Sequence, residues 1–356
     1  MGTLKFYRDE PLFGLDIGHT SLKAVQIARA PGKPPEITGY GSGEFDAKAI
    51  ENGVIVKPEI IAAAMHQLFE KTMVGTIDHR RVACSLPTSR TFSRPMKVPA
   101  MDNSQIMDAI RLEAEQYIPI PLNNLYLDYE ITSQAPDGIE LLLVAVSKTI
   151  VDSYLKLLEA LELEPVVFEP TISAASRIVQ MIEKSNAEPA IIVDIGSVAS
   201  DIAVFDKTLL VTSTVSTGGD NITDAIATGL RVSRQQALTL KNQYGISYSE
   251  KQQRIIGAIK PNLEIFTDAI HKSMRYFAEH AAKSGSQISQ VITVGGGSVM
   301  PGLNQYLSKE LRLPVHNLDP WQTINFSSLP LPPESDQAGY VIAAGEALVD
   351  PVEAMR

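Results

Sequence analysis

Asp16, Gly18, His19, Thr20, Ser21 and Lys23 fall within one short stretch of the chain, and Asp194, Gly196 and Ser197 repeat its opening much later. Each set lies between two apolar runs; the second run is 22–28 in one case and 202–205 in the other. The pattern predicts a strand–turn–strand hairpin with glycine in the turn. Such a turn can bring backbone N–H groups close to a phosphate, because no Cβ holds the ligand away. An Asp at its head is repelled by phosphate itself. It can still hold Mg²⁺ through water while the ion bridges phosphate oxygens. Two such hairpins imply a nucleotide clasped between two halves of the chain.

A single Asp-x-Gly is as readily an ordinary tight turn. The pair gains meaning from a third stretch, 291–298, where an apolar strand opens through Gly295, Gly296, Gly297 and Ser298 toward a helical pattern after Met300-Pro301-Gly302. Bare backbone of this kind suits a flat base or ribose. It is not the dinucleotide fingerprint, since Met300 stands where the last glycine is needed, and no G-x-x-x-x-G-K-[ST] occurs. A fourth turn, Gly218-Gly219-Asp220, precedes a helix expected from 222 to 230, whose N-terminus favours an anion.

In this order and at these distances, the motifs resemble the actin-like ATPase superfamily of actin, heat-shock chaperone ATPases, sugar kinases and the division protein FtsA. Gly14-Leu15-Asp16-Ile17-Gly18 with Leu22-Lys23-Ala24-Val25, and the run Arg111-Leu112-Glu113-Ala114-Glu115-Gln116-Tyr117-Ile118-Pro119, are similar to the PilM family of type IV pilus assembly. The resemblance covers 12–348. It implies an α/β, ribonuclease H-like, two-lobed actin-like fold with an FtsA-type 1C subdomain inserted in the first lobe. The implied first lobe is 1–186, completed by 337–356, with 1C at 82–168. The second is 187–336, with a helical 2B subdomain at about 221–290.

The resemblance also implies ATP and Mg²⁺ as ligands. Asp16 and Asp194 would position the ion through water, and Gly18, His19, Thr20, Ser21, Gly196 and Ser197 would face the phosphates. Lys23 would neutralise phosphate charge; read without the resemblance, it is a solvated lysine at a strand edge. Gly218 and Gly219 would lie near sugar and phosphates, and Gly295, Gly296, Gly297 and Ser298 against the adenosine. One departure stands out. In Ala237-Leu238-Thr239-Leu240-Lys241, Leu238 occupies the place of a family Glu that reaches a ribose hydroxyl. Leu accepts no hydrogen bond, which removes on the order of 1 kcal/mol unless a neighbour such as Gln235 replaces it.

The implied partner is the cytoplasmic N-terminal segment of a PilN-like inner-membrane protein, docking where 1C meets the first lobe in a type IV pilus or type II-like secretion platform. Other platform proteins and self-association stay open, with recruitment to the inner face of the cytoplasmic membrane. The rivals are an FtsA-like division filament and a kinase or hydrolase of the same fold. FtsA ends in an amphipathic membrane helix, whereas 348–356 is short and acidic. A kinase needs a general base, and His19 is the only titratable side chain in the first turn besides the Asp and Lys. Catalytic residues are therefore unassigned, and slow or absent hydrolysis is expected.

Composition supports this frame. A chain of 356 residues, 44% hydrophobic, can bury the cores of two lobes. A net charge of −10 without a basic stripe argues against nucleic acid. The single cysteine, Cys84, excludes an internal disulfide, fits a reducing compartment, and reads as a small core residue. No apolar run reaches the roughly 18–20 residues of a bilayer span, no signal peptide opens the chain, and Phe6 stands where myristoylation wants Ser or Thr.

Positioning the motifs requires further elements. Periodicity predicts helices from 58 to 69, from a cap at Asp102 or Ser104 to 117, and over 149–161, 171–184, 233–243, 261–282 and 303–311. A last helix at 338–348 should pack back on the first lobe. Pro136-Asp137-Gly138 predicts a hairpin between 125–131 and 139–146. Residues 1–11 read as a polar leader, and 185–188 as the crossing between lobes.

Overall fold

The computed structural model describes residues 11–183, 188–280 and 286–350. The leader at 1–10 and most of the lobe crossing lie outside these. In chain order the first part contains β1 (Phe13–Ile17), β2 (Ser21–Ala28), β3 (Glu36–Glu44), β4 (Ile50–Glu51), β5 (Val54–Ile55), α1 (Pro58–Gln67), β6 (Val74–Gly75) and β7 (Arg81–Leu86). Next come β8 (Thr91–Val98), α2 (Asn103–Tyr117), β9 (Leu125–Ala135), β10 (Gly138–Ser147), α3 (Lys148–Ala160), β11 (Glu164–Pro170) and α4 (Thr171–Glu183). The second part contains β12 (Ala190–Ile195), β13 (Ser200–Asp206), β14 (Thr208–Val215), α5 (Gly219–Leu230), α6 (Arg234–Gln243) and α7 (Gln252–His280). It ends with β15 (Gln290–Val294), α8 (Leu303–Leu311), β16 (Val315–Asn317), α9 (Glu334–Gln337) and α10 (Val341–Ala347).

Both expected hairpins form, and each seeds a sheet of the same plan. One sheet runs β11-β7-β1-β2-β3-β6 and the other β14-β13-β12-β15-β16. In each, a three-stranded antiparallel meander (β1-β2-β3 or β12-β13-β14) is extended by parallel strands on the far side of its first strand. β1 and β12 are buried along their whole length, as strands covered on both faces must be. Alternation divides their side chains. Phe13, Leu15 and Ile17 enter the core beneath α1 and α3, and Ile191, Val193 and Ile195 enter the core beneath α5 and α7.

Between the sheets lie α4 and α10, in a third core that draws Val25 and Tyr40 from one sheet and Ile192 and Phe205 from the other. Every residue of α10 is buried. The fit is close because small residues meet: a Cβ at Gly14 would fall 2.7 Å from Glu346 Cβ and closer still to the Ala343 carbonyl. The last helix thus packs on β1, β2, β7 and α4, as expected.

Sheet membership narrows the insert. β7 and β11 pair with the first lobe's sheet, and α3 fills its core, so they are not part of a separate unit. β7, buried on both faces from Val82 to Leu86, suits a covered parallel sheet, and β11 pairs outside it as the edge strand. The independent piece is 91–147, a three-stranded sheet β8-β10-β9 with α2 over one face and its own small core. The β9–β10 hairpin turns at Pro136-Asp137, with Gly138 at φ 148°.

Two helix boundaries differ from expectation. α7 begins at Gln252 and runs through Pro261. The proline removes one hydrogen bond, but Ile255, Ile259, Leu263, Phe266 and Ile270 are buried on one continuous stripe, and that burial outweighs the loss. α5 begins at Gly219 rather than at 222, so the Gly-Gly turn is its first turn. The gap at Gly218 is filled by backbone, with a Cβ there falling 2.5 Å from the Ser197 carbonyl oxygen.

Candidate functional site

The two hairpin turns open onto one cleft of about 980 Å³ between the lobes. From the first lobe Asp16, Gly18, His19, Thr20, Ser21 and Lys23 line it, and from the second Asp194, Gly196, Ser197, Gly219, Gly295, Gly296 and Gly297. Gly218 and Ser298 do not line it. Gly218 lies behind the 196–199 turn, its N–H donating to Asn221 Oδ1 at 2.9 Å. Ser298 is buried and donates its hydroxyl to the Gly295 carbonyl at 2.8 Å, which braces the triple-glycine loop from behind. The start of α5 is also committed elsewhere: Gly219 N–H donates to Gly196 O at 2.9 Å and Asp220 N–H to Ser197 O at 2.7 Å. These N–H groups hold the turn in shape and are not free for an anion.

Strand register sets the charges. In the first lobe Asp16, Lys23 and Ser42 occupy one row across β1, β2 and β3. In the second, Asp194, Asp201 and Thr214 occupy the matching row across β12, β13 and β14. Opposite its leading Asp, one hairpin therefore carries a cation and the other a second carboxylate. Lys23 Nζ donates to Ser21 Oγ at 2.8 Å, and Ser85 Oγ donates to Asp16 Oδ1 at 2.7 Å. Thr214 donates its hydroxyl to Asp201 Oδ1.

The electrostatics follow. Burial pushes Asp16 above the usual carboxylate range, with Lys23 and the Ser85 hydroxyl pulling it back. Asp194 is pushed up to about 8, by burial first, then by the Asp201 and Asp16 carboxylates, against the pull of Lys23. Burial raises Asp201 to about 6, eased by the Thr214 hydroxyl. Three carboxylates and one lysine leave a local excess of negative charge that a divalent cation relieves. Among the described residues no three His, Cys, Asp or Glu side chains stand close enough to cage an ion alone.

Several cleft residues escaped the sequence reading. Asp201 was detectable by pairing the hairpin outward from its turn, since Ser200 faces Ile195 and Asp201 faces Asp194. Lys241 lines the cleft from α6 and donates to Gly219 O at 2.9 Å; burial lowers its pKa. It closes the Ala237-Leu238-Thr239-Leu240-Lys241 run, but its place in the cleft is decided only by the packing of α6 on α5. Leu238 is half-buried on the same helix, and neither it nor Gln235 is among the cleft-lining residues. Cys84 is buried in β7, and burial pushes its thiol up, as fits a core residue.

A family model described as type IV pilus assembly protein PilM matches residues 14–350. The chain belongs to the PilM family. Cell division protein FtsA of Bacillus subtilis (strain 168) is 25% identical over 342 residues, spanning 83% of this chain and 75% of FtsA. Among solved structures, the PilM–PilN type IV pilus biogenesis complex is similar with a TM-score of 0.81 at 23% identity, over 96% of this chain and 98% of that one. MreB5 of Spiroplasma citri bound to AMPPNP is similar with a TM-score of 0.56 at 12% identity, over 98% of each chain. The fold of this PilM-family chain is thus actin-like, and FtsA is a distant relative. Among its described residues no helix is long and apolar enough to cross a membrane.

Proposed function

We propose that this PilM-family chain is a cytoplasmic, ATP- and Mg²⁺-binding scaffold of a type IV pilus assembly platform. We further propose that it binds the cytoplasmic N-terminal segment of a PilN-like inner-membrane protein in a nucleotide-dependent way. One observation carries the nucleotide reading: two glycine turns headed by buried carboxylates face a shared cleft whose charge excess calls for a cation. Asp16 and Asp194 would hold Mg²⁺, with Asp201 beside them, and the ion would screen the triphosphate from these carboxylates. His19 to Ser21 and Ser197 would present N–H and hydroxyl groups to the phosphates, whereas the Gly18 and Gly196 N–H groups close their own turns on the Ser21 and Ala199 carbonyls at 2.9 and 3.1 Å. The bare triple-glycine loop would take the adenosine. The partner reading rests on the family and on the likeness in fold to the PilM–PilN complex.

Calorimetric titration of ATP with Mg²⁺ into the wild type and Asp16→Ala is the deciding test. Binding in the wild type that is lost in the variant supports the clasp; equal binding, or none to either, overturns it. Adding the partner peptide with and without nucleotide then tests the scaffold role, and no binding in either state refutes it. Lys241 yields a separate prediction. Lys241→Met keeps the aliphatic stem but removes the charge, so ATP affinity should fall about tenfold, equivalent to roughly 1.4 kcal/mol. Thermal denaturation of the ligand-free variant should shift by no more than the loss of the one bond to Gly219 O, about 1 kcal/mol, so a larger loss of stability would mark a folding role instead.

A further inference from the structure

The insert is joined covalently to the first lobe at both ends, through β7 and α3, yet its outer strand β8 lies against β14, the outer strand of the second lobe's sheet. Ser93 Oγ on β8 and Thr212 Oγ1 on β14 are hydrogen-bonded. Thr212 and Thr214 are two residues apart on β14 and so share a face. Thr214 in turn donates to Asp201 at the floor of the cleft. On the insert side, the residue after Ser93 is Arg94, whose guanidinium lies 3.8 Å over the Tyr117 ring at the end of α2. A route of hydrogen bonds and shared strand backbone thus runs from the cleft carboxylates to the helix that covers the insert.

We propose that the insert is an interlobe strut that registers the state of the cleft through Asp201, Thr214, Thr212 and Ser93. It is fixed to one lobe by the chain and meets the other along β14, where β8 makes the Ser93–Thr212 bond and β9 and β10 pack alongside, so a change in lobe separation must strain that bond. Because β8 pairs with β10 from Thr91 to Val98, a shift at Ser93 is carried into the whole insert sheet. Coupling of this kind is reciprocal: what the cleft does to the insert, a load on the insert does to the cleft. One part of the test rests on the nucleotide reading above; the other does not.

Amide hydrogen exchange decides it. In ligand-free protein, Asp201→Ala and the near-isosteric Thr214→Val both remove the contact at the cleft end, so failure of one to fold leaves the other. Exchange should rise several-fold in β14 and also in β8 and α2. In a Ser93→Ala background the rise in β14 should persist while that in β8 and α2 disappears. A response confined to β13 and β14 with Ser93 present, or an equal response in β8 without it, overturns the strut. In the second arm, ATP with Mg²⁺ should protect β8 in the wild type and not in Ser93→Ala, although both protect the cleft turns. Protection of β8 that survives Ser93→Ala counts against the proposal. If calorimetry finds no nucleotide binding, the proposed function fails, and the ligand-free arm still decides this inference.

Discussion

Ligand-free Asp194→Asn should be more stable than the wild type at pH 7 and should bind no ATP·Mg²⁺. Asp194 has an ordinary value of 3.8 and a folded value of about 8, because burial and the carboxylates of Asp201 and Asp16 disfavour its charge. The folded chain therefore holds a proton that the unfolded chain releases between these values. Stability linked to this group is fully present below pH 3.8 and is lost as the pH rises through about 8. At pH 7 the strain amounts to roughly 2–4 kcal/mol. Asparagine keeps the shape and cannot ionise, so its melting temperature should exceed the wild type's by a few degrees and vary less between pH 5 and 8. Mg²⁺ needs the ionised carboxylate, so wild-type metal affinity should rise with pH over the same window. Melting curves from pH 4 to 8, with and without Mg²⁺·ATP, check both signs. A variant less stable than wild type at pH 7 would mean that Asp194 makes favourable interactions as an anion without its ligand.

Gly14→Ala should be the most damaging of the small substitutions in the first lobe. A Cβ there would be 2.5 Å from the Ala347 nitrogen and 2.7 Å from Glu346 Cβ, and nearer still to the Ala343 carbonyl oxygen. Most of these atoms are helix backbone and cannot rotate away, so α10 would have to move bodily off β1. Its neighbours oppose that, since Gly345 packs directly on the Ala174 carbonyl of α4 and every α10 residue is buried. Overpacking by one methyl group usually costs about 1–3 kcal/mol; a backbone collision places this variant at about 4 or more. Gly257→Ala is the contrast. Gly257 lies in α7 with open space at its Cβ, so alanine should stabilise by about 0.5–1 kcal/mol. Urea denaturation of both variants reads the difference directly.

These expectations mark what could be read without coordinates. The hairpins announced themselves, because an apolar run, Asp-x-Gly and a second apolar run constrain the chain locally. The triple-glycine loop was legible for the same reason, as was the role of Cys84. Where local rules met a tertiary contest they misplaced boundaries. Pro261 looked like a helix start until the buried stripe from Ile255 to Ile270 carried the helix through it. Strands β7 and β11 looked like part of the insert until parallel pairing placed them in the first lobe's sheet.

The amino-acid order alone determined that two carboxylate-headed glycine turns exist and that the chain resembles the PilM family, since both reside in short contiguous motifs. Only the tertiary structure decided what stands opposite each leading Asp. Strand register placed Lys23 beside Asp16 but Asp201 beside Asp194. It also sent Gly218 and Ser298 behind the cleft, brought Lys241 to it from α6, and joined the insert to the far lobe through Ser93 and Thr212. The reason is physical. A turn is set by the dihedral preferences of neighbouring residues, whereas pairing and packing join residues distant in sequence and depend on which arrangement buries the cores together.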